Sequence, residues 1–153
     1  MDNPAIIRYA TPEDIKYLRL IQSNDGFEHV YYLNKDRLEN LFKRGEVFLI
    51  AFIGEKPVGF GSIDFEIRAR LHFLSVDVSV KGKKVGASLM LRMLDECRQR
   101  GYKFAHTYVE VNTNKEDFLV KFGFKNIGIF KDRYGKGLDS SIWQKDLLDP
   151  SGV

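Results

Sequence analysis

A single α/β (α+β) domain, with strands and helices intermixed around one mixed β-sheet, is the architecture that the apolar pattern of this chain predicts. Its 153 residues are enough for one domain with a real core. At 44% hydrophobic and 29% charged residues, the composition is that of a globular chain. Runs that are apolar at every second residue alternate with runs that repeat at three and four, and glycine-bearing turns join several of them. No internal repeat, linker or low-complexity tract breaks the pattern, so residues 1–153 read as one unit with six to seven strands and about four helices.

In chain order, Ala5–Tyr9 can be an extended strand, and Thr11-Pro12-Glu13-Asp14 then opens a helix. Thr11 suits the N-cap, Pro12 the first helical position, and the two acids the positive helix end. Asn24-Asp25-Gly26 stops that helix, an aromatic connection Phe27–Tyr32 follows, and Asn34 caps a second helix to Arg44. Glu46–Phe52 and Val58–Phe65 form a hairpin across Gly54-Glu55-Lys56-Pro57. Gly59 and Gly61 in its second strand point to a bulge or to the close approach of another backbone. Leu71–Val80 reads as a buried strand, and Val85, Leu89, Met93, Leu94 and Cys97 as the apolar face of a long helix ended by Gly101. Arg92, Asp95, Glu96 and Gln99 are left for water. Lys103–Val111 is a further strand, Asn114–Phe122 a short helix stopped by Gly123, and Phe124–Phe130 with Ser140–Trp143 a closing hairpin.

The stretch between the Leu71–Val80 strand and the long helix holds Lys81, Gly82, Lys83, Lys84, Val85, Gly86 and Ala87. A glycine-containing turn that feeds a helix leaves backbone N–H groups unpaired at the positive end of the helix dipole. With three lysines beside them, those donors suit a phosphate or pyrophosphate. Neither GxGxxG nor the GxxxxGK of a nucleoside-triphosphate loop is present. The net charge of +3 is too small to argue for nucleic acid, and its local concentration favours a small anionic ligand. The lone Cys97 excludes an intramolecular disulfide and a cysteine metal cluster, and suits a reducing compartment. The N-terminus lacks a signal pattern and no apolar run is long enough to span a bilayer, so a cytoplasmic protein without membrane or metal partners is expected.

Two blocks resemble the GNAT N-acetyltransferase superfamily over almost the full chain. The family's acetyl-CoA signature is a strand ending Leu-x-Val, then Arg or Gln-x-x-Gly-x-Gly or Ala opening a helix. It is matched without a gap by Leu74-Ser75-Val76 through Lys81, Lys84 and Gly86, with lysine at the usual Arg or Gln and at the middle glycine. The second block, an asparagine before a helix ending Phe/Leu-Tyr-x-Lys-x-Gly-Phe, is matched by Val109–Asn114 and Phe118–Phe124. Counting back from Gly123 puts the family asparagine at Asn112, and counting forward from the strand puts it at Asn114.

The resemblance implies transfer of acetyl from acetyl-CoA to a primary amine of a small molecule or peptide, on a chain that acts alone or as a homodimer. It implies that residues 81–87 hold the pyrophosphate, and that backbone groups of Leu74, Ser75 and Val76 pair with the pantetheine arm. A backbone N–H near Val76 would stabilise the thioester oxygen. Many members carry a glutamate base where this chain has Arg70 and a tyrosine acid where it has Leu119. His72, two residues on and expected on the same strand face as Arg70, Leu74 and Val76, is the candidate base, with Glu66 and Glu110 as alternatives. Tyr134 or Tyr108 is the candidate acid, unless the thiolate departs unaided. Phe27, His29, Tyr31 and Tyr32 are expected to border the acceptor pocket. A non-catalytic acetyl-CoA-binding module on the same fold and a small nucleic-acid-binding domain remain the competing readings.

Overall fold

A computed structural model describes residues 4–27 and 33–148. Seven strands form one sheet: β1 (Ile6–Tyr9), β2 (Val47–Ile53), β3 (Lys56–Asp64), β4 (Ala69–Val76), β5 (Phe104–Glu110), β6 (Lys125–Phe130) and β7 (Ser140–Asp146). Their order across the sheet is β1-β2-β3-β4-β5-β7-β6. Every neighbouring pair is antiparallel except β4 and β5, which are parallel. A parallel pair needs a crossover, and α3 (Val85–Gln99) supplies it. The other helices are α1 (Ile15–Ser23), α2 (Lys35–Lys43) and α4 (Asn114–Lys121).

Each sheet face has its own core. On one side Leu18, Ile21, Leu38 and Leu41 of α1 and α2 pack with Phe48, Ile50 and Phe60. On the other, Val85, Leu89, Met93 and Cys97 of α3 pack with Leu49, Val58, Ile63 and Leu71. The two strand glycines explain how closely α3 can lie. A Cβ at Gly59 would stand 3.0 Å from Leu89 and Val85 methyls, and one at Gly61 would fall inside the sulfur of Met93. The backbone carbonyls of Ser75 and Phe73 also come within 3.2 and 3.3 Å of those positions, and a bulge at Val58 adjoins Gly59, so the glycines admit both the helix side chains and the neighbouring strand.

Two expectations need correction. The β4 strand ends at Val76, and residues 78–80 form a single 3₁₀ turn instead of extending it. Asp77 is the cause: its carboxylate accepts the Ser79 amide at 2.8 Å, a local bond that competes with the ladder. Glu96 is buried, because it accepts the Tyr9 hydroxyl at 2.5 Å and pairs with Arg92 and Arg100. At the start of the first helix Thr11 is the N-cap and Pro12 the first residue, as expected, with a 3₁₀ turn over Pro12–Asp14 whose Asp14 carboxylate accepts the Thr11 amide.

Candidate active site

The site begins where β4 and β5 part. The two strands pair only over Ala69–Leu71 with Ala105–Thr107. Beyond that point both run on, each paired only on its outer side, β4 with β3 and β5 with β7. The Phe73 and Ser75 carbonyls lie against Gly61 and Gly59 of β3, and the Asp77 amide donates to Val58. Backbone groups alternate sides along a strand, so those of Leu74 and Val76 face the opening. A cavity of about 410 Å³ fills the gap, lined by Leu71–Val76, Thr107–Glu110 and the facing sides of α3 and α4.

At one end of the cavity lies the lysine-rich turn. Lys81 and Gly86 line the cavity itself, while Gly82 and Lys83 sit on the exposed turn beside it. The first backbone bond of α3 runs from the Ser88 amide to Lys84, and no side chain caps the helix. The amides of Val85, Gly86 and Ala87 are thus free of helix partners. Lys84, at the usual glycine, has φ 62° and ψ 24°, the left-handed conformation that glycine adopts without strain. Lys115 at the start of α4 adds a cation that the sequence pattern did not single out: its ammonium stands 5.2 Å from the ring of Phe27, and that of Lys81 4.9 Å. Phe27 therefore sits beside two lysines near the turn and lines the same cavity as His72. His29, Tyr31 and Tyr32 lie outside the described residues.

At the other end stands His72. The register of β4 on β3 slips by one residue here: Leu71 opposes Ile63 and Phe73 opposes Ser62, leaving His72 as an extra residue. The expected face-sharing with Leu74 and Val76 is therefore broken. The imidazole stacks on Phe73 instead, with ring centroids 4.0 Å apart. Its Nδ1 lies 2.9 Å from Oε1 of Glu46, whose side chain is only 3% exposed. The Ser62 hydroxyl donates to the other Glu46 oxygen at 2.7 Å. A carboxylate in contact accepts from Nδ1–H, which leaves Nε2 as the basic nitrogen of a ring that lines the cavity. Glu46 was not among the expected site residues. It precedes an apolar strand like many surface acids, and only the tertiary fold brings it to the histidine.

Tyr134, from the β6–β7 connection, lines the cavity, as does Tyr108 on β5. Leu119 lines it too and is buried. Asn114, the first residue of α4, reaches the cavity, whereas Asn112 is exposed in a left-handed turn with φ 60° and donates its amide to Glu116. The asparagine facing the opening is thus Asn114. Of the alternative bases, Glu66 pairs with Arg44 on the surface, and Glu110 borders the cavity far along β5. Cys97 is a core thiol that burial pushes up to about 12. Among the described residues no cluster of His, Cys, Asp and Glu could hold a metal ion, and no helix is long and apolar enough to cross a membrane.

A family model described as an acetyltransferase (GNAT) domain matches residues 14–141. An uncharacterised N-acetyltransferase of Methanocaldococcus jannaschii is 28% identical over 141 residues, covering 82% of this chain and 62% of that protein. The chain thus spans less than two thirds of that relative's length. Ard1 of Thermoplasma volcanium superposes with a TM-score of 0.81 at 22% identity, over 95% of this chain and 99% of that one. The PaiA N-acetyltransferase of Thermoplasma acidophilum, solved in complex with coenzyme A, gives 0.75 at 24% identity, over 93% and 98%. These likenesses establish a shared fold. Since the family model spans most of its residues, the chain belongs to the acetyltransferase (GNAT) family.

Proposed function

We propose that this protein transfers an acetyl group from acetyl-CoA to a primary amine. The observation that carries the reading is the parting of β4 from β5 beyond Leu71, which leaves the opening side of β4 at Leu74 and Val76 without a strand partner, beside an uncapped helix start. An amide-rich pantetheine arm fits such a strand edge, and a pyrophosphate fits free amides flanked by Lys81, Lys83 and Lys84. Gly86 leaves room at that point, since a Cβ there would meet only Val76 and Phe118 at 3.6 and 4.0 Å. Lys115 and Asn114, rather than Asn112, complete the wall on the α4 side.

In the reaction, His72 Nε2 takes a proton from the ammonium form of the acceptor, directly or through water, so that a neutral amine attacks the thioester carbonyl. Glu46 holds the ring in the tautomer that permits this and offsets the positive charge it gains. Backbone N–H groups at Leu74 and Val76 stabilise the negative charge developing on the thioester oxygen. As the carbon–sulfur bond breaks, the attacking nitrogen loses its second proton to solvent and Tyr134 gives a proton to the departing thiolate, the role that Leu119 cannot fill, and is then reprotonated from solvent.

Turnover is measured as CoA thiol release across a panel of amines, with acetyl-CoA affinity followed by calorimetry. His72→Ala should lower kcat on the order of 10²–10⁴-fold and leave acetyl-CoA affinity unchanged. Gly86→Leu, which puts a side chain into the cavity, should lose acetyl-CoA binding while keeping the native circular dichroism. Unimpaired binding in Gly86→Leu would refute the assignment of the anion site. A fully active His72→Ala enzyme would refute the assignment of the base.

A further inference from the structure

We infer that the acceptor amine carries a carboxylate, held by an arginine pocket next to His72. This deepens the proposed transfer reaction and rests on it for the identity of the acceptor. A second cavity of about 280 Å³ adjoins the first, and Leu71, His72, Phe73, Tyr108 and Tyr134 line both. Three arginines from three separate elements converge on it: Arg37 of α2, Arg70 of β4 and Arg133 of the β6–β7 connection. Arg70 and Arg133 lie over the same ring, their guanidinium carbons 5.3 and 4.1 Å from the centre of Tyr108.

Among the described residues, none of the three forms an ion pair with a carboxylate. Asp64, opposite Arg70 on β3, accepts the Glu66 amide instead, and Glu46 is taken up by His72 and Ser62. The Nε of Arg70 is buried without any hydrogen-bond partner. A buried donor of a charged group left unpaired is costly, and three like charges facing one pocket repel each other. A bound anion removes both penalties. The guanidinium fork, with Nε free, matches the two oxygens of a carboxylate side-on. Because the pocket opens beside the imidazole, an anion seated there puts its own amine within the space that His72 lines.

The test compares matched amines at saturating acetyl-CoA. One pair is alanine against alaninamide, and the other a dipeptide amide beginning with glutamate against one beginning with glutamine. The wild-type protein should prefer the carboxylate-bearing member of at least one pair about 10- to 100-fold in kcat/KM, the size of one or two charge-assisted bonds. A preference in the first pair identifies a free amino acid, and one in the second an acidic peptide end. Arg70→Gln and Arg133→Gln should each reduce that preference about tenfold without altering acetyl-CoA affinity, and Arg133, on a surface connection, guards against misfolding of the strand variant. Equal use of both members of both pairs, or a preference that survives both substitutions, overturns the inference. Should the wild-type protein acetylate no amine, the transfer reading fails and the pocket is judged by calorimetry. Glutamate should then bind the wild type more tightly than Arg70→Gln, and equal affinities overturn the pocket as well.

Discussion

Replacing Glu46 by glutamine separates what its shape does from what its charge does. Glutamine Oε1 can still accept from His72 Nδ1 at the 2.9 Å spacing, and its amide can donate to Ser62, whose hydroxyl turns from donor to acceptor. The fold and the ring orientation therefore survive. What disappears is a carboxylate only 3% exposed, facing an imidazole that becomes positive when it takes the acceptor's proton. A hydrogen bond to a charged partner contributes about 1.5–3 kcal/mol, against about 0.5–1.5 for a neutral one. The difference between the midpoints, about 1.3 kcal/mol, is close to tenfold in rate. Glu46→Gln should thus lower kcat about tenfold in the thiol-release assay, with acetyl-CoA affinity and melting temperature close to wild type. The sharper measurement is the double variant. Glu46 acts through His72, so in a His72→Ala background the same substitution should cost almost nothing. A further tenfold loss there would refute the dyad and give Glu46 a role of its own.

Lys84→Gly should raise stability. A left-handed residue with a Cβ costs roughly 1–2 kcal/mol and glycine's unfolded freedom returns about 0.5–1 of it, so a net gain of about 0.5–1 kcal/mol should raise the melting temperature by about 1–4 °C, and a fall would show the turn to be unstrained. Gly61→Ala should do the opposite: its Cβ would overlap the buried Met93 sulfur, an overpacking that costs about 1–3 kcal/mol in a denaturant titration. Asp14 accepts both guanidinium nitrogens of Arg8, and that bond lowers its pKa below the ordinary 3.8. Its stabilising effect is complete above 3.8 and is lost as pH falls through the lower folded-state value. Asp14→Asn should therefore be less stable at neutral pH yet show a shallower stability loss below pH 3.8.

The mixed sheet was legible because Leu71–Val80 is apolar at nearly every second residue, Lys103–Val111 is rich in apolar and aromatic residues, the α3 face repeats at three and four, and Gly101 and Gly123 mark stops. The turn at 81–87 stood out for a different reason: the anion binding proposed for it would use backbone atoms, and the sequence records where glycine and lysine permit that. Side-chain chemistry left a weaker trace. His72 could be named, but its orientation could not, because a bulge has no composition of its own. Asn112 and Asn114 were separable only by their backbone, since one is a left-handed turn residue and the other begins a helix. Glu46, Arg37 and Arg133 come from elements far apart in sequence, each with the look of a surface charge, so nothing local distinguished them from solvated residues.

The bulge at His72 resolves a conflict within one strand. Ala69 and Leu71 at the start of β4 belong to the core under α3, and Leu74 and Val76 at its end pack against the same core. Strict alternation cannot put both odd and even positions on one face. One extra residue between Leu71 and Phe73 changes the parity, at the cost of two adjacent side chains, His72 and Phe73, left on the opposite side. There the pair meets Glu46, Ser62 and the arginine pocket, while the backbone of Leu74 and Val76 continues along the opening toward the lysine turn. A regular strand would have turned either the imidazole into the α3 core or Leu74 and Val76 out of it. The same irregularity thus joins the residue proposed to move the proton to the edge proposed to hold the thioester, without interrupting the core that supports both.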